Sequence, residues 1–168
     1  HEPLLLNLDM ALANAGISIN AICTSATQVC SQPEIDTLVA WHQTTHGLIY
    51  FGNVQHVFKR FEAMAAALVR NYIDARIYTV TDMVDEFMNG NLEGQVILVP
   101  DFFTPVCENK THDPFLRYKT NAYSFLIKLR QNGQRAIVYT HDLGMFTERH
   151  GGQLLHDLLQ EQFRPIEV

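Results

Sequence analysis

With 168 residues, 47% of them hydrophobic, the chain suits one domain with a substantial core rather than two. Its 12 Lys and Arg against 18 Asp and Glu give a formal net charge of -6, the opposite of the basic excess with which self-sufficient nucleic-acid binders release phosphate counterions. The aliphatic run Leu4 to Leu6 is far too short to span a bilayer, and Cys23, Cys30 and Cys107 lack metal-ligand or redox-pair spacing, so free thiols in a reducing, cytoplasmic setting are expected.

Leu4 to Ala15 has a roughly helical apolar pattern that Gly16 would stop, and Ile17 to Gln32 leaves helix, strand and loop open. After Pro33, the residues Ile35, Leu38, Val39 and His42 follow helical spacing, predicting a helix to about Thr45. Residues 1–32 are thus a helical or irregular lead-in and 33–168 the main domain. Leu48 to Phe51 reads as a strand ending at Gly52. A helix follows, with Val57, Phe61, Met64, Leu68 and Tyr72 on its core face and Lys59, Arg60, Glu62 and Arg70 on its solvent face. Arg76 to Val80 is a second strand, and Thr81 is placed to cap a helix carrying Met83, Val84, Phe87 and Met88 that ends at Asn89-Gly90.

The segment Gln95 to Phe103, QVILVPDFF, organises the remainder: four aliphatic residues in a row ending towards an acid describe a strand buried on both faces. A Pro-punctuated loop from Thr104 to Pro114 follows, then a helix burying Ala122, Phe125, Leu126 and Leu129 and ending at Asn132-Gly133. Ala136 to Thr140 is a fourth strand, Asp142 to His150 a short helix or turn, Leu154, Leu155, Leu158 and Leu159 a last helix, and Phe163 to Val168 a fifth strand. Strands alternating with helices imply crossover connections, hence a three-layer α/β fold around a mainly parallel five-stranded sheet.

The order of these elements, with GLIYFGNVQHVFKRFEAMAAAL, IYTVTDMVDEF, QVILVPDFF, AIVYTHDL and GGQLLHDLL in succession, resembles the AAA+ P-loop ATPases of the bacterial helicase-loader and insertion-sequence transposition-helper (DnaC/IstB-like) family over roughly residues 33–168. The resemblance implies the AAA+ core fold, and it implies sites at which this sequence departs from the family pattern. A phosphate-binding loop needs glycines whose amides face the phosphates, a lysine for the β/γ oxygens and a hydroxyl for Mg²⁺. Counting from Gly52, those places hold Val57, Phe58 and Lys59; a one-residue insertion would put Lys59 at the lysine place with Arg60 after it, still without the glycine. Where the family has two acids at the end of the metal-binding strand, Pro100 replaces the first and Asp101 remains. The γ-phosphate-sensing position after Thr140 falls at His141 or Asp142, and the arginine-finger position reads Leu158, with Arg149 and Arg164 nearby but off the motif. Each loss removes a group that phosphoryl transfer depends on.

Other constellations are weaker. Eight histidines include His141, His150 and His156 in the C-terminal third and the pair His42 and His46, but no zinc-site spacing joins them. Lys110, Arg117, Lys119, Lys128 and Arg130 form the one local concentration of positive charge, read as a solvated helix face or, with Thr104, as an interaction surface. The loop from Thr104 to Pro114 leaves the sheet at the edge where α/β domains place binding sites, and Phe102, Phe103 and Phe115 would add apolar contact area there if exposed. The expected function is a catalytically inactive AAA+-like adaptor that binds no cofactor and works through another protein: a helicase, a transposase or an active ATPase sibling in a homo- or hetero-oligomer, with nucleic acid reached indirectly or through the basic residues. The alternatives are an ATP- and Mg-dependent loader or transposition helper with an atypical loop, and a metal- or His/Asp-dependent enzyme on an α/β scaffold.

Overall fold

The computed structural model describes residues 12–17, 25–53 and 56–167. Its centre is a five-stranded, all-parallel sheet: β1 (Gly47–Phe51), β2 (Ala75–Ile77), β3 (Val96–Phe103), β4 (Arg135–Thr140) and β5 (Phe163–Glu167), in the order β2-β3-β4-β1-β5. The helices are α1 (Ala26–Val29), α2 (Gln32–Val39), α3 (Val57–Arg70), α4 (Val80–Met88), α5 (Pro114–Arg117), α6 (Ala122–Gln131), α7 (Leu143–His150) and α8 (Gln153–Gln162). Alternate strand residues feed two cores. Leu48, Tyr50, Leu98 and Ile137 face α3 and the segment 12–17, whereas Ile49, Ile97, Val99 and Val138 face α4, α6, α7 and α8. This gives a three-layer α/β architecture around a parallel sheet, the fold class expected from the sequence.

Several boundaries differ from the sequence reading, each for a local reason. β2 is three residues long because Thr79, not Thr81, caps α4: its hydroxyl accepts from the Asp82 amide at 3.2 Å, which commits Val80 to the helix. Of the lead-in helix, only its end at residues 12–14 lies within the described residues, and Gly16 does stop it, at φ +84°. The segment then seals the edge of the sheet. Ile77 N–H donates to Ala15 O at 2.8 Å, and a Cβ on Gly16 would stand 3.2 Å from Ile77 O, so glycine allows the approach.

The helix after Pro33 departs furthest from expectation. It ends at Val39 rather than near Thr45, a 3₁₀ turn covers Trp41–Gln43, and its buried side is polar: Glu34 and Thr37 are buried while Val39 is 80% exposed and His42 is exposed. Partners from other elements explain the inversion. The Glu34 carboxylate accepts from the Tyr50 hydroxyl, from Arg60 Nε at 3.0 Å and Nη2, and from Ser31 N and Oγ at 2.6 and 2.5 Å. Arg60 also lies 5.3 Å from the Tyr50 ring centre, so this residue of the supposed solvent face is tied inward, and Glu62 on the same helix is buried as well. Thr37 accepts from Arg164 at 3.0 Å. Arg135 stacks on Trp41, 3.4 Å from the ring centre, and donates to Trp41 O and His46 O. At the C-terminus Leu155, Leu158 and Leu159 are buried as the pattern predicts, whereas Leu154 is 62% exposed.

Burial alone would raise the Glu34 pKa, but the hydrogen bonds from Arg60, Ser31 and Tyr50 outweigh it and hold the group below the ordinary carboxylate value. Burial and the neighbouring Glu34 push the Cys30 thiol up to about 12, which leaves it protonated and unreactive at neutral pH. Because the folded-state pKa of Glu34 is depressed, its contribution to stability is complete above the unfolded value of about 4.3 and is lost as pH falls through the lower folded value. Glu34→Ala, which strands Arg60 and the Tyr50 hydroxyl, is expected to lower stability by about 3–5 kcal/mol at pH 7, and by less when the comparison is made near pH 3; urea denaturation at the two pH values checks both.

Candidate functional site

The C-terminal ends of β1, β3 and β4 carry the residues that the resemblance singles out, and the geometry there starts from Pro100. A central strand needs its amides for the ladder, and proline has none. Pairing between β3 and β4 runs in register to Val99↔Val138 and resumes only at Phe103↔Thr140, so four steps of β3 pass two of β4. The bulge turns Asp101 aside. Its Oδ1 accepts from Val80 N–H, the first amide of α4, at 2.8 Å, and desolvation raises its pKa, with a smaller push from Asp82. Phe102 and Phe103 are swept into the core, where with Phe115 they are each 1% exposed, so they contribute no contact area to the surface. Phe102 packs edge-on against Phe115 and Phe146.

A cleft of about 440 Å³ opens beside this bulge, lined by Gly16, Val57, Phe58, Ile77, Tyr78, Thr79, Asp82, Pro100 and Asp101. It brings together Val57, Phe58, Pro100 and Asp101 from the positions named by the sequence. Val57 and Phe58 begin α3, whose preceding residue His56 sits at φ +60° and supplies no side-chain cap; Val57 packs against the α3-side core and Phe58 is 48% exposed at the rim. Lys59 is exposed and outside the lining. Gly52, at φ +107°, is fixed by Tyr139, whose hydroxyl donates to its carbonyl at 2.5 Å. Thr140 is fully buried, and Leu158 belongs to the core.

The residues after Thr140 serve the neighbouring loop. His141 stacks on Phe103, and its Nδ1 and Nε2 lie 3.1 Å from Phe103 O and 2.6 Å from Glu108 Oε1. Asp142 caps α7, accepting from Met145 N at 2.9 Å. Arg149 donates to Cys107 O and, at 2.7 Å, to Glu108 O. His150 is buried: its Nδ1 accepts from Ala122 N–H at 3.0 Å, so Nε2 carries the proton and donates to Asp113 Oδ2 at 2.8 Å, while Asp113 Oδ1 accepts from Phe115 N–H. The loop after β3 is therefore two 3₁₀ turns, Pro105–Glu108 and Lys110–His112, clamped by α7. No motif in the sequence marks this clamp, because its partners come from separate elements: His141 directly follows β4, and Arg149 and His150 end α7. Thr104 is half-buried at the start of the loop.

The basic residues divide into two groups. Lys110, Arg117 and Lys119 lie on the loop side, at the C-terminal edge of the sheet, whereas Lys128 and Arg130 lie in the last turn of the ten-residue α6, about 15 Å of helix away from its start, at the edge where β4 begins. They make no single surface. Among the described residues no group of three or more His, Cys, Asp or Glu could hold a metal ion, and no helix is long and apolar enough to cross a membrane.

No protein-family model matches the sequence, and no curated protein matches it. Among solved structures, the fold is similar to the replication initiator DnaA bound to AMPPCP and single-stranded DNA (TM-score 0.53, 10% identity, 80% of this chain and 44% of that one). It is similar also to AMPPCP-bound DnaA from Aquifex aeolicus (TM-score 0.55, 9% identity, 85% and 46%). The chain spans less than half the length of either.

Because the folded-state pKa of Asp101 is raised, keeping it ionised costs stability as pH rises from the unfolded value of about 3.9. Asp101→Asn can still accept from Val80 N–H and sheds that cost, so it is expected to match or exceed the parent in stability at pH 7. Asp101→Ala loses the cap and is expected to fall below the parent by about 1 kcal/mol, both read by urea denaturation.

Proposed function

We propose that this chain is a catalytically inactive AAA+-like adaptor that acts by binding another protein in the cytoplasm. The observation that carries the reading is the state of the cleft beside β3. Its acid, Asp101, is engaged in capping α4, and Val57 and Phe58 stand where the DnaC/IstB-like pattern has glycine and lysine. His141 and Asp142 bond to their own loop and helix, and Leu158 is in the core, which leaves the positions for γ-phosphate sensing and the arginine finger without a group to serve. A fold shared with replication initiators supports a setting in DNA replication or mobile-element biology, and the partner then is a helicase, a transposase or an active ATPase sibling. The acidic balance of the chain favours reaching DNA through that partner.

One observation favours the second reading, an ATP-dependent loader with an atypical loop: α3 begins without a side-chain cap, so its first amides retain the anion preference of a helix N-terminus. Two measurements separate the readings. A ligand bound to the native state raises the melting temperature with its concentration over its dissociation constant, so millimolar MgATP is expected to leave Tm unchanged; an upward shift overturns the adaptor reading. The combined variant Val57→Gly, Phe58→Lys, Lys59→Thr, Pro100→Asp restores the family pattern and is expected to gain MgATP affinity with little hydrolysis, measured by calorimetry and phosphate release.

A further inference from the structure

We propose that the cleft between α3 and the C-terminal ends of β2 and β3 receives an arginine or lysine side chain, flanked by apolar residues, from the protein partner of the adaptor reading on which this inference rests. The walls are apolar: Val57, Ile77 and Pro100 line the cleft, and the Phe58 ring stands at its rim, 48% exposed. Such a ring is an outlier on a helix whose other aromatic, Phe61, is fully buried. The charged side chains are of one sign, and their full charges outweigh the partial positive charge of the α3 N-terminus. Among the described residues, Asp82 and Asp101 are the acids of the lining, no Lys or Arg lines it, and neither acid forms an ion pair. Val80 N–H engages one oxygen of Asp101, and among the described residues the Asp82 carboxylate has no ion-pair partner.

These features select the occupant. Two like carboxylates in a partly desolvated cleft repel each other, and a cation placed between them relieves both. An arginine or lysine stem covers apolar wall while its charged head meets the carboxylates, and the head gains further from the exposed face of Phe58. A nucleotide or other anion is disfavoured by the same charges, and a purely apolar segment would desolvate Asp82 without an ion-pair partner and bury further an Asp101 carboxylate that Val80 N–H engages through one oxygen.

The test is an NMR titration of the intact chain with Ac-Leu-Arg-Leu-NH₂ and Ac-Leu-Lys-Leu-NH₂, against Ac-Leu-Gln-Leu-NH₂ and Ac-Leu-Glu-Leu-NH₂. The cationic peptides are expected to shift the amides of residues 57, 58, 77–82 and 101 saturably, at least tenfold more tightly than the others, and to weaken as salt rises. Asp82→Asn is at an exposed position and Phe58→Ala at a half-exposed one, so both variants are expected to keep the parent spectrum elsewhere; each should weaken the cationic peptides severalfold. Equal shifts from the Gln peptide, shifts confined to other residues, or an unaltered affinity in Asp82→Asn overturn the proposal. Concentration-dependent dimerisation in sedimentation that Asp82→Asn abolishes also overturns it, by assigning the cleft to a second copy. The adaptor reading is judged separately by MgATP: nucleotide binding with peptide docking intact removes that reading alone, and absence of both removes only the docking site.

Discussion

A strand in the middle of a parallel sheet has no amide to spare, and β3 lacks one at Pro100. Much of the C-terminal edge follows from that deficit. Pairing with β4 breaks for the residues between Val99 and Phe103, Asp101 rotates towards the first amide of α4, and the chain rejoins the sheet with Phe102 and Phe103 directed into the core. The loop that follows is then anchored from α7, by Arg149 on two of its carbonyls and by His150 on Asp113. In an α/β domain this edge is where ligands are received. Here many of its polar groups are engaged with one another, and the cleft that holds the candidate residues lies to one side, beside Phe58 and Asp82.

A second constraint acts on the opposite face. Glu34 is fully buried and holds together α2, β1 and α3 through Arg60 and Tyr50. A buried ion pair is weak evidence of net stabilisation, since desolvation offsets much of the attraction; what the structure shows is that Glu34 is fully satisfied, with donors from Ser31, Tyr50 and Arg60 on both of its oxygens.

The strands were legible in the sequence because burial on both faces writes itself as an aliphatic run: LIYF, VILV and AIVY appear at their observed places, and Asn89-Gly90 and Asn132-Gly133 end their helices as expected. The α2 face was not legible. Hydrophobic periodicity assumes that apolar residues face inward, and α2 turns Glu34 and Thr37 inward because Arg60, Tyr50 and Arg164, distant in sequence, supply their partners. For the same reason the pattern marked Arg60 and Glu62 as solvated. At the candidate site the positions Val57, Phe58, Pro100 and Asp101 could be located along the chain, and the structure places them around one cleft; Asp82, Tyr78 and Gly16 joined them only in three dimensions, since no motif links a helix-capping turn to a glycine far upstream. The five basic residues looked contiguous because α6 carries Lys128 and Arg130 about 15 Å of helix away from the loop side in only ten residues of sequence.

Trp41 is the single tryptophan of the chain, 4% exposed, with the Arg135 guanidinium 3.4 Å from its ring centre and no carboxylate ion-paired to that guanidinium among the described residues. Burial lowers the Arg135 pKa to about 10, and among the described residues its Nε has no acceptor. The indole is therefore a spectroscopic reporter placed at the joint between the α2 segment and the beginning of β4. Trp41 does not line the cleft and sits where β4 begins, so detachment of the α2 segment is expected to change its emission while filling of the cleft is not.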